Sequence, residues 1–138
     1  MSEPADPQEN DAVKRLRRLA KKSGLSLFGL PGDDRNAVLA ACQQFCRSKP
    51  FPVSEPRFTG YATEWLDRTH GFLRADAAEL RRSLVDFGFV RRDAAGTMYT
   101  LAPPFLDSGG SDLTGVIVAI RAEERAAREL RKSLNGGA

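Results

Sequence analysis

Between Asp11 and Ser23 the apolar residues Val13, Leu16, Leu19 and Ala20 return every three or four positions, while lysines and arginines fill the other side. That period predicts an amphipathic, cationic helix, closed by Gly24. The run Leu25-Ser26-Leu27-Phe28-Gly29-Leu30-Pro31-Gly32 then forms an apolar connection that must pack on something. Asp33 or Asp34 suits the N-cap of a second helix, with Val38, Leu39, Cys42, Phe45 and Cys46 on one face and Lys49-Pro50 as its stop. Phe51-Pro52-Val53 is too rich in proline for a helix and leaves room for a short strand. A further helix is expected from about Thr59 or Gly60 to Thr69, with Tyr61, Trp65 and Leu66 inward and His70-Gly71 at its end.

The next helix is marked at both ends. Asp76 followed three positions later by Glu79 fits a capping box, Leu80, Leu84, Val85 and Phe87 make the apolar stripe, and Gly88 suits a left-handed C-terminal residue. Phe89-Val90-Arg91-Arg92 and Thr97-Met98-Tyr99-Thr100-Leu101, joined by Asp93-Ala94-Ala95-Gly96, predict a hairpin. After Pro103-Pro104 and Ser108-Gly109-Gly110-Ser111, Asp112 can cap a last helix. There Leu113, Val116, Ile120, Ala127, Leu130 and Leu134 follow a heptad-like seam.

The expected fold is mainly α with a small β-hairpin: a winged helix-turn-helix core with N- and C-terminal helical extensions. Residues 1–10 are expected to be a disordered leader. Residues 11–32 hold the basic helix and apolar connection, 33–102 the winged-helix-like domain, and 111–135 a C-terminal helix suited to dimerisation.

The segment Asp76-Ala77-Ala78-Glu79-Leu80-Arg81-Arg82-Ser83-Leu84-Val85-Asp86-Phe87-Gly88-Phe89-Val90-Arg91-Arg92, continued by Gly96 and Tyr99, resembles the bacterial family called domain of unknown function 2087. The similarity spans about residues 57–101, with Phe58 to Leu66 fitting more loosely. The resemblance implies a winged-helix-like domain that occurs alone or beside DNA-binding regulator domains. It supplies no activity.

A chain of 138 residues with 41% hydrophobic content has room for one ordinary domain and some helical extensions. No signal-peptide core and no run of about 18 apolar residues occurs, so a cytoplasmic, non-membrane protein is expected. Cys42 and Cys46, four apart on a helix, suit buried thiols better than a disulfide or a metal site. His70 is the one histidine, so no His-based triad can be built without it. With no phosphate-binding glycine loop either, no enzyme, metal or cofactor is expected.

The formal net charge is only +3, so its distribution matters more than its size. Lys14, Arg15, Arg17, Arg18, Lys21 and Lys22 crowd the first helix without an acid among them. From Arg57 to Asp93 seven arginines face six carboxylates. If the helix Ala77–Phe87 reads DNA, its outward residues include Arg81, Arg82 and Ser83, with Arg74 just before it and Arg91 and Arg92 on the wing. Alternatively Arg82 pairs with Asp86, and Arg81 or Arg92 fixes a carboxylate such as Asp76. The basic helix, likewise, is either a phosphate-gripping arm, a solvated face or a membrane-surface helix.

Two functions follow. The first is a DNA-binding regulator or nucleoid-associated factor, dimerised through the C-terminal helix. The second is a protein-interaction adaptor on the same scaffold, with an exposed apolar seam along Leu113 to Leu134.

Overall fold

The computed structural model describes residues 9–104 and 106–136. The leader expected over residues 1–10 therefore lies mostly outside the described residues, and its last residue is a cap. The Asn10 side chain accepts from the N–H groups of Ala12 (2.8 Å) and Val13 (3.3 Å) and starts α1 (Asp11–Leu19). Ala12, Val13, Leu16 and Leu19 are its buried stripe.

A single 3-10 turn over Leu27–Gly29 leads to α2 (Gly32–Cys46). Pro31, not an aspartate, is the N-cap; Asp33 and Asp34 sit in the first turn, where carboxylates favour the positive end of the helix dipole. Residues 37–43 of α2 are all buried and apolar but for Gln43, whose amide donates to the Phe89 and Ala102 carbonyls, so this stretch forms the centre of the molecule. Cys42 and Cys46 are buried free thiols, and burial pushes the Cys42 thiol well above its ordinary pKa.

β1 (Val53–Ser54) and α3 (Glu55–Arg68) follow. The helix begins about four residues before the expected Thr59 or Gly60. Ser54 caps it, and Pro56 occupies the first turn, where a missing N–H costs nothing. Its inward face is Phe58, Ala62 and Trp65, whereas Tyr61 and Leu66 are half-buried.

α4 (Ala77–Asp86) begins as expected, with the Asp76 carboxylate accepting from the Glu79 N–H at 2.8 Å. It ends with Gly88 at φ +85° and the Phe89 N–H donating to the Leu84 carbonyl at 2.9 Å. Leu80 and Leu84 are fully buried and Val85 half-buried. Two side chains depart from expectation. Ser83 is buried rather than outward, and Phe87 lies outside the stripe, where the Arg35 guanidinium covers its ring at 3.7 Å.

β2 (Val90–Arg92) and β3 (Met98–Leu101) form the expected hairpin, and β1 adds to it, giving a three-stranded antiparallel sheet of order β1–β3–β2. Val53 and Arg92 both sit opposite Tyr99. The Asp93 carboxylate closes the turn by accepting from the N–H groups of Thr97 (2.8 Å) and Met98 (3.2 Å), and these bonds hold its pKa below the ordinary value.

α5 (Leu113–Gly136) packs on α1 and α2. Its start is tied in by polar bonds: Trp65 Nε1 donates to Thr114 Oγ1 (3.0 Å), and that hydroxyl donates to the Ala41 carbonyl (3.2 Å). The seam expected along Leu113 to Leu134 is corrected. Leu113, Ile117, Ile120 and Arg121 are buried against the chain's own helices, while Leu130 and Leu134 are 62% and 74% exposed. No described helix is long and apolar enough to cross a membrane.

Candidate nucleic-acid interface

The cationic helix is less available than its composition suggests, because three of its arginines are bound by carboxylates of the same chain. Arg15 donates to Asp11 (2.7 Å) and Asp34 (3.0 Å) and lies 3.6 Å from Asp33. Arg18 meets the same Asp34 oxygen at 2.7 Å, and Arg17 meets Glu9 at 2.6 Å. Burial on its own would raise the Asp34 pKa; the hydrogen bonds from Arg15 and Arg18 outweigh it and hold the carboxyl below its ordinary value. The Asp11 carboxylate, and then Asp34, raise the Arg15 pKa in turn. Arg15 and Arg18 brace α1 against the start of α2, and Arg17 ties α1 to the residue before its own N-cap. Lys14, Lys21 and Lys22 are exposed and make no ion pair among the described residues.

Arg81 is similarly corrected. Its guanidinium donates to Thr59 Oγ1 at 2.8 Å and lies 3.7 Å from Glu55, so it joins α4 to α3 instead of facing outward. Arg82 is exposed and makes no ion pair among the described residues, not even with Asp86, but it shares its surface with Asp76, Glu79 and Asp86. The outward face of α4 thus carries three carboxylates against one guanidinium, which opposes a phosphate backbone. Arg91 and Arg92 are exposed on β2, an edge strand, with the Arg92 stem against the hairpin turn at Gly96.

A further arginine, Arg121, organises the junction of α5 with the end of α1 and the α3–α4 connection. Arg121 is 4% exposed, and among the described residues no carboxylate pairs with it. Its Nη1 donates to the carbonyls of Lys22 (3.1 Å) and Ala20 (3.4 Å), and its Nη2 to that of His70 (3.3 Å). It thereby fastens α5 to the end of α1 and to the α3–α4 connection. Backbone bonds complete the junction: the Gly24 and Leu25 N–H groups donate to Gly71 and Phe72, and the Arg74 N–H donates to Leu25 at 2.8 Å.

That junction brings together charges far apart in sequence. Lys21 and Lys22 close α1, and Arg74 leaves the α3–α4 connection beside them. Arg125, Arg128 and Lys132 continue from Arg121 at steps of four, three and four along one face of α5. Burial lowers the Arg121 pKa, and the fields of Arg128 and Arg125 lower it further, against a smaller opposing effect of Glu124. Lys21, Lys22, Arg74, Arg125, Arg128 and Lys132 are all exposed and without ion pairs among the described residues. Acids share these elements: Glu123, half-buried Glu124 and Glu129 lie on α5, Asp67 near the end of α3, and Asp76 two residues beyond Arg74.

The four-three-four spacing of these cations lies on a different face of α5 from the heptad-like seam of Leu130 and Leu134. Of the eleven cations expected at a site, Arg15, Arg17, Arg18 and Arg81 serve inside the protein. The junction gathers Lys21, Lys22 and Arg74. Lys14, Arg82, Arg91 and Arg92 lie on α1, α4 and the hairpin.

Residues 57–101 match the family described as an uncharacterized protein conserved in bacteria (DUF2087), the segment whose Leu-Arg-Arg motif carries the resemblance. No curated protein and no solved structure matches the chain.

Proposed function

We propose that this is a winged-helix protein that binds duplex DNA through its phosphate backbone, gripping it with the ridge formed by Lys21, Lys22, Arg74, Arg125, Arg128 and Lys132. The element order supports the scaffold: α2, β1, α3, α4 and a hairpin, with β1 added beside β3, is the winged-helix sequence of parts. What supports the binding mode is the Arg121 junction, since it ties together the elements that carry these six cations, none in an ion pair among the described residues. Backbone contacts position a protein without reading sequence, and the acidic outer face of α4 is ill-suited to base edges. A sequence-tolerant, nucleoid-associated role therefore fits better than a site-specific regulator.

The test is an anisotropy titration of a 20-base-pair duplex at fixed salt. Replacing Lys21, Lys22, Arg125 and Arg128 by alanine is expected to weaken binding at least tenfold, and Arg82→Ala by less than about twofold. Equal effects of the two variants would refute the assignment of the ridge.

A second reading has one specific observation behind it. Leu130 and Leu134 are exposed one turn apart on the projecting end of α5, a contact suited to a second copy or to another protein. Leu130→Glu would abolish such an association without altering DNA binding by the monomer.

A further inference from the structure

The outer face of α4 carries a second surface whose chemistry is opposite to that of the ridge. Phe28, at the tip of the 3-10 turn, is 75% exposed, although its neighbour Leu27 is fully buried. The turn is closed by the Gly29 N–H donating to Ser26 and the Leu30 N–H donating to Leu27. The ring is thus held out on an anchored turn. Together with Asp76, Glu79, Arg82, Ser83 and Asp86 it lines a groove of about 450 Å³.

Three features say what this groove takes. Its charged residues sum to −2, and neither Glu79 nor Asp86 is in an ion pair among the described residues. Asp76 uses one carboxylate oxygen to cap α4, which leaves the other outward. Ser83 is 3% exposed, yet its hydroxyl makes no hydrogen bond among the described residues; helical serines commonly bond back one turn, and this one lines the groove instead. An exposed aromatic, an unpartnered serine hydroxyl that opens to the groove and a surplus of carboxylate complement a cation on an apolar stem. The same carboxylates repel a phosphate chain.

We propose that the Phe28–α4 groove is a docking site for a cationic segment of a partner protein. An arginine or lysine of the partner lies across the Phe28 ring and reaches Glu79 and Asp86, and an adjacent aliphatic side chain covers the rest of the ring. The ridge at the α1–α5 junction and this groove are separate surfaces, so the protein can hold a polyanion and a basic protein segment together.

The probe is an acetylated and amidated nine-residue peptide of three Arg-Leu-Ala triplets, titrated into the isotopically labelled full chain and followed by NMR. Saturable shifts are expected at Phe28, Glu79, Ser83 and Asp86. Phe28→Ala should weaken binding about fivefold, and Glu79→Lys with Asp86→Lys at least tenfold. A Glu-Leu-Ala peptide should not bind. Phe28 is exposed, so its replacement leaves the fold intact, and a melting curve for each variant checks this. Duplex DNA affinity should not fall in any groove variant, which separates failure here from failure of the DNA reading. The proposal is overturned if the arginine peptide gives no saturable shifts or shifts residues elsewhere, or if the groove variants bind it as the parent does. Sedimentation showing a dimer that Phe28→Ala dissolves would place a second copy in the groove and overturn it as well.

Discussion

Replacing Arg121 by methionine removes the fastening at the junction while keeping most of the buried aliphatic stem. Three hydrogen bonds disappear, at 3.1 to 3.4 Å, all longer than the optimum for a charged donor, so each is taken at about 1 kcal/mol or a little less. Against that loss stands a gain: a guanidinium with no carboxylate partner no longer has to be kept from water. The net destabilisation is about 2 kcal/mol. Unfolding entropy of roughly 2.1 cal/mol/K per residue amounts to about 290 cal/mol/K for this chain, so Tm should fall by about 7 °C. Arg121→Lys should recover less than half of that loss, because one ammonium nitrogen cannot serve acceptors that two guanidinium nitrogens now reach. Calorimetry gives the Tm, and hydrogen exchange locates the effect. Protection should drop at the amides of Gly24, Leu25 and Arg74, whose bonds close the junction. A methionine variant melting within 1 °C of the parent, with those amides unchanged, would refute the role given to Arg121.

Other consequences concern the scaffold. Because the folded-state pKa of Asp34 is lowered, its contribution to stability is present above about pH 3.9 and is lost as pH falls through the lower folded value; Asp34→Asn should flatten the stability profile in that window, measured by urea unfolding. Asp76→Ala deletes a helix cap and should cost about 1 kcal/mol in the same assay. Leu84→Ala, at a fully buried position between α4 and the rest of the core, should cost about 2–5 kcal/mol.

The parts legible in the sequence are those where one residue has one physical use. Asp76, Gly88 and the Asp93–Gly96 turn fixed α4 and the hairpin closely, because a cap, a left-handed residue and a tight turn each admit few alternatives. α3 starts earlier than the two prolines suggest, because proline in a first helical turn sacrifices no hydrogen bond. On α5, a seam of seven-residue period pointed to Leu130 and Leu134. The packing instead runs through Leu113, Ile117, Ile120 and Arg121, from the last turns of α2 to the end of α1. The apolar connection did pack, through Leu27 and not Phe28.

The candidate interface was legible only in part for a different reason. Whether a guanidinium is free depends on acids that the fold brings to it. Asp34 lies nineteen positions from Arg15 and sixteen from Arg18, and no local pattern announces that meeting. Arg121 hides among helical charges for the same reason: its acceptors lie about a hundred and about fifty positions upstream.

The most direct test of the ridge is the salt dependence of duplex DNA affinity. About five phosphates neutralised would give a slope of log K against log salt near −4.5, a loss of about 500-fold on raising salt from 50 to 200 mM. Replacing Lys22, Arg125 and Arg128 together by alanine should make that slope shallower by about 2.7. A variant slope equal to the parent's would contradict the account, because the ridge would then hold no phosphate.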